Sequence, residues 1–136
     1  SLHDALPIWI AGLLEGLRFL RRERVETVAA REEGLIRRMG EGLSRLSGVE
    51  VFRAPAGSKA QAGVLSFRVE GRDCEELGEE LCRRGIALRA GLHCAPLAHR
   101  TAGTLETGTL RASVSAFTTP REVQEFLRTL GVLLKT

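Results

Sequence analysis

The spacing of apolar residues changes character along this chain, and that change limits the folds open to it. Ile10, Leu13, Leu14, Leu17 and Leu20 recur at helical spacing, which predicts an amphipathic helix over residues 10–22. A break follows at residues 22–24. A longer helix is then expected over 25–46, with Val25, Val28, Leu35, Met39, Leu43 and Leu46 as its apolar stripe. Gly34, Gly40 and Gly42 interrupt it. Each weakens a helix by up to about 1 kcal/mol against alanine, so packing must stabilise this one.

Beyond residue 46 the period shortens. Val49–Phe52 is short and β-rich, residues 54–63 are small and turn-forming, and Val64–Val69 alternates as a strand does. Asp73 and Glu76 have the spacing of a capping box opening a helix, and Gly85 stands where a left-handed helix end belongs. Residues 86–89 read as a short strand, 90–109 as a long segment without periodicity, and 110–115 as a strand. Thr119-Pro-Arg-Glu122 is a second capping box with proline at the first helical position. Its helix runs to about Leu134, with Val123, Phe126, Leu127, Leu130 and Leu134 on one face. The order α-α-β-β-α-β-loop-β-α points to an α+β fold, helices packed on one face of a small, mainly antiparallel sheet.

The remaining bulk features narrow the class. Aromatic residues make up 4% of the chain and tyrosine is absent, so the core must be aliphatic. The net charge of +3 is small, and no basic stripe with interleaved aromatics marks a nucleic-acid interface. Three cysteines, Cys74, Cys82 and Cys94, form no disulfide framework and fit a reducing cytoplasm. No apolar run is long enough to span a membrane. Residues 1–8, SLHDALPI, are what a common short-read sequencing adapter translates to, so they are expected to be a foreign scar. On that reading the gene is truncated. Residues 9–24 are then an inter-domain helix, its apolar face made for a missing neighbour, and 25–136 a small C-terminal domain.

The chemistry-bearing stretch is Arg89-Ala-Gly-Leu-His-Cys-Ala-Pro-Leu-Ala-His99, inside the long irregular segment. Such a segment in a compact domain is usually functional. Three readings are open on the residues alone. Cys94 is a nucleophilic thiol favoured by Arg89 or His93, or a loop cysteine that merely packs. His93, Cys94 and His99 make a metal site, which the adjacency of His93 and Cys94 and the lack of a fourth ligand disfavour. Arg111, on a strand after Gly108-Thr109, grips a carboxylate, or is a surface arginine. Cys74 and Cys82 read as packing residues, and His99 as a hydrogen bonder that steadies the loop. Gly103-Thr104 and Gly108-Thr109 form a five-residue echo.

The Arg-x-Gly-x-His-Cys-Ala core, the Gly-Thr-Leu-Arg111 that follows, and Phe117-Thr-Thr-Pro-Arg-Glu-Val together resemble the C-terminal domain of the cysteine desulfurases. These are aminotransferase class V-fold enzymes related to selenocysteine lyases. The resemblance covers about residues 10–134. It implies pyridoxal phosphate as cofactor, L-cysteine as substrate, alanine and a protein persulfide as products, and a sulfur-acceptor or scaffold protein as partner, as in iron–sulfur cluster assembly. It also implies a homodimer. Cys94 matches the sulfur-accepting thiol, Arg111 the substrate-carboxylate ligand, and Arg89 the arginine that orients the cysteine loop. His93 is not given the acid–base role. Neither lysine, Lys59 or Lys135, has the context of the cofactor lysine, so the large cofactor-binding domain is expected upstream and this segment alone is expected to be inactive. Thr118-Thr119 stands where relatives often have Asn-Thr. Selenocysteine lyase, another class V enzyme and a non-catalytic interaction domain are the competing readings.

Overall fold

The computed structural model describes residues 2–55 and 61–135, with the backbone alone for residues 2–7. Helix α1 (Leu2–Glu23) starts earlier than the apolar spacing predicts and ends at Arg24, whose φ of 66° turns the chain into α2 (Val25–Leu43). Strands β1 (Val49–Phe52) and β2 (Val64–Val69) fall where the alternation places them. Helix α3 (Cys74–Cys82) is capped by the Asp73 carboxylate, which accepts from the Glu75 and Glu76 amides. It closes as a Schellman turn: Ile86 N–H donates to Leu81 O at 3.0 Å, and Gly85 N–H to Cys82 O at 2.9 Å. Gly85 supplies the positive φ of 79°.

Three sequence expectations are corrected beyond this point. The strand expected over 86–89 is β3 (Arg89–Gly91), because Ile86 is still held by the end of α3. The irregular segment contains a helix, α4 (Pro96–Ala102), opened by Pro96 and ended by Gly103 at φ 68°. Seven residues are too few for a periodic signal to show. Cys82, expected to pack, is exposed. Strand β4 (Thr109–Ser113) and helix α5 (Pro120–Leu133) complete the chain, α5 with the full reciprocal capping box of Thr119 and Glu122.

The sheet is antiparallel throughout, in the order β1-β2-β4-β3. On its inner face Leu65, Phe67, Leu110 and Ala112 meet Leu35, Met39 and Leu43 of α2, Leu77 and Leu81 of α3, and Val123, Phe126 and Leu130 of α5. Phe67 and Phe126 are the aromatic pair of that aliphatic core, with ring centroids 5.8 Å apart. Gly42 is there for packing. A Cβ at that position would come within 2.8 Å of Leu127 Cδ2 and would overlap its Cδ1 outright, so α2 and α5 approach this closely only over glycine. Helix α1 stands apart from the core: Leu13, Leu14, Leu17 and Leu20 are all exposed. No helix among the described residues is long and apolar enough to cross a membrane.

Candidate active site

Strand pairing decides which side chains share the outer face of the sheet. Ser66 of β2 pairs with Arg111 of β4, and Arg111 pairs with Arg89 of β3, so these residues form one row across three strands. Two cations directly opposite on antiparallel strands repel each other. Among the described residues neither guanidinium has a carboxylate partner, and Arg111 Nε is buried with no hydrogen-bond acceptor. A buried, unsatisfied donor costs about 1–3 kcal/mol. An anion placed against Arg111 removes that penalty and the repulsion together.

The thiol sits on the loop that leaves this row. Gly91 and Gly108 form its neck. A Cβ on Gly108 would lie 3.0 Å from both Gly91 Cα and Cys74 Sγ, so the two strands can meet there only without a side chain. Cys74 fills the space beside the neck, and burial pushes its thiol pKa up. From Leu92 the chain makes a β-turn closed by Ala95 N–H donating to Leu92 O at 2.9 Å. Its central residues, His93 and Cys94, have φ of 51° and 57°. Positive φ at both centres is the pattern of a type I′ turn, which favours Asn and Gly. For other residues the left-handed region costs about 1–2 kcal/mol each. The result is an exposed Cys94 at the tip of a strained turn.

Two histidine–threonine pairs brace the loop. His93 Nε2 lies 3.1 Å from Thr109 O and 3.2 Å from Thr109 Oγ1. A carbonyl only accepts, so that bond places the ring proton on Nε2. His99 Nδ1 lies 2.7 Å from Thr104 Oγ1, and both residues are buried. The two imidazole rings are 5.8 Å apart. Arg68 donates to Gly103 O at 3.3 Å and thereby ties the end of α4 to the sheet. Burial, then the Arg111 charge, holds the His93 pKa below the ordinary 6.5, so the ring favours its neutral form. The Gly-Thr echo now has a physical reading. Gly103 and Gly108 both have positive φ, and the threonine after each anchors a histidine.

Arg89 and Arg111 thus share one row, with the neutral-favouring His93 ring close enough to feel both charges and Cys94 next to it in the turn. His99 has the steadying role expected of it. Thr104 and Thr109 were not legible as site residues, although the echo was the signal that pointed to them. Lys135 is exposed at the end of α5, and Lys59 lies outside the described residues. An open cleft of about 810 Å³ between Gly48–Glu50 and Arg68–Cys74 includes none of Arg89, His93, Cys94 or Arg111.

A four-stranded antiparallel sheet with helices on its inner face and two paired arginines on the outer one defines an α+β domain. The chain belongs to the aminotransferase class-V family, whose model matches residues 7–126. It is 39% identical over 117 residues to a probable cysteine desulfurase of Mycolicibacterium paratuberculosis, covering 86% of this chain and 16% of that one. Its structure is similar to the apo cysteine desulfurase of Thermococcus onnurineus, with a TM-score of 0.84 and 33% identity over 91% of this chain and 30% of that one. The Escherichia coli cysteine desulfurase CsdA, in an S-sulfonic acid form, matches with a TM-score of 0.78 and 26% identity, over 88% of this chain and 28% of that one. The chain therefore spans less than a third of the length of these relatives.

Proposed function

We propose that this chain is the C-terminal, sulfur-accepting part of a cysteine desulfurase. Residues 9–24 are then the inter-domain helix, 25–136 the small domain, and 1–8 a translated adapter. The observation that carries this reading is the exposed Cys94 on a left-handed turn that follows β3, the strand whose Arg89 pairs with an Arg111 whose buried Nε has no acceptor. The substrate carboxylate satisfies Arg111, with Arg89 alongside it in the row. That contact fixes the amino acid at one end. As thiolate, Cys94 Sγ forms a bond to the substrate sulfur while the substrate C–S bond breaks. The bonding pair leaves with the carbon skeleton and is protonated to give alanine. Cys94 is left as a persulfide, and its exposure lets an acceptor protein reach the terminal sulfur.

Pyridoxal phosphate supplies the electron sink for such a bond cleavage. In this reading it is held by a large domain outside the chain, a domain for which the greater length of the relatives leaves room. The exposed apolar face of α1 packs on that domain, and the complete protein is a cytoplasmic homodimer. The test begins by recovering the coding DNA upstream of the Trp9 codon and expressing the complete protein. Cys94→Ser should abolish alanine release from L-cysteine. Unchanged turnover by that variant would sink the desulfurase reading in favour of another class V activity. Turnover of L-selenocysteine that survives Cys94→Ser, with L-cysteine untouched, would favour the lyase.

A further inference from the structure

We propose that His93 is the positioning residue for the Cys94 thiol, acting as a latch that holds the left-handed turn against β4 through Thr109. This rests on the reading of Cys94 as the sulfur acceptor. The turn residues His93 and Cys94 both occupy a region of backbone space that side chains disfavour, and neither is glycine or asparagine. Local sequence therefore does not hold the turn. Within the turn itself, one backbone bond, Ala95 N–H to Leu92 O, closes it. The further restraint is the His93 ring, bonded at 3.1 Å to the carbonyl of a residue sixteen positions along the chain.

The acceptor is well chosen for rigidity. Thr109 is buried, begins β4, and pairs with Gly91 at the loop neck. The latch thus joins the turn to the same strand that carries Arg111, two residues on. Strand β4 fixes the substrate's carboxylate through Arg111 and the thiol through His93, so the distance between them is set by one rigid element. A histidine at this position acts by geometry, through its Nε2–H, and moves no proton in the reaction.

The experiment compares two side chains of equal length that differ in the donor. Glutamine places an amide N–H where His93 has Nε2–H; methionine places a methyl group there. Both dislike the left-handed region alike, so the backbone penalty cancels. Amide hydrogen exchange is followed at Ala95 in the chain, with Leu65 and Phe67 as core controls. His93→Gln should keep Ala95 close to the native rate. His93→Met should raise it about five- to tenfold, the change that loss of one net hydrogen bond produces, with the core amides unmoved. Equal rates in the two variants would overturn the latch. In the complete protein, His93→Met should lower kcat for persulfide formation and leave the KM for L-cysteine unchanged, and His93→Gln should restore it. Unchanged kcat in His93→Met overturns the positioning role. Failure of the desulfurase reading shows separately, as turnover that survives Cys94→Ser, and leaves the exchange result standing.

Discussion

Two glycines in α2 should respond to the same substitution with opposite signs. Alanine at position 34 or 42 gains the same helix propensity, about 1 kcal/mol. At Gly34 a Cβ meets nothing within 4 Å, so Gly34→Ala should stabilise the chain by about 0.5–1 kcal/mol. At Gly42 the new methyl group would lie 2.8 Å from Leu127 Cδ2 and 3.1 Å from its Cγ, besides overlapping Cδ1. The whole isobutyl group must move, and it is wedged between α2 and α5. Overpacking of this kind costs about 1–3 kcal/mol. The net effect of Gly42→Ala is then a loss of roughly 1 kcal/mol. With a urea slope of about 2 kcal/mol/M, the two variants' midpoints should lie about 1 M apart, on either side of the native value. Urea unfolding followed by circular dichroism measures this directly. A Gly42→Ala midpoint equal to or above that of Gly34→Ala would refute the close α2–α5 contact.

Three further outcomes follow from the site. Iodoacetamide should modify two thiols of the native chain, the exposed Cys82 and Cys94, and reach the buried Cys74 only in denaturant; three adducts formed at one rate would contradict the packing of the loop neck. The His93 ring should titrate below 6.5 by NMR. Its folded pKa lies below its unfolded one, so between the two values the unfolded chain binds more protons. The stability it contributes is whole above 6.5 and is lost as pH falls through the folded value, and a midpoint above 6.5 would reverse that sign. Pyridoxal phosphate mixed with this chain should give no stable visible band, whereas a stable band mapping to a single lysine would place the cofactor site in these residues.

Much of the fold was legible because local signals and core packing agree. Asp73, Gly85 and the Thr119–Glu122 box name helix ends by their chemistry, and Leu65, Phe67 and Val69 name the buried face of β2 by alternation. Where sequence reasoning missed, tertiary structure decided. β3 begins at Arg89 because the Schellman turn retains Ile86, and Cys82 points outward although it ends an otherwise well-patterned helix. Gly42 looked like a weakness in α2, because nothing near it in sequence announces Leu127. In the site, Cys94, Arg89 and Arg111 stood out by motif. Thr104 and Thr109 did not, since a threonine's role as anchor depends on which histidine the fold brings to it. The left-handed turn at His93 and Cys94 was hidden for a related reason: its residues are not those that such turns prefer.

The central claim is that Cys94 receives the sulfur. The complete protein, recovered with its upstream coding sequence and loaded with pyridoxal phosphate, should be incubated with L-cysteine and its thiols mapped by mass spectrometry. The account predicts one additional sulfur on Cys94 and none on Cys74 or Cys82, appearing together with alanine. Alanine release with Cys94 unmodified, or the added sulfur on Cys82 instead, would contradict it.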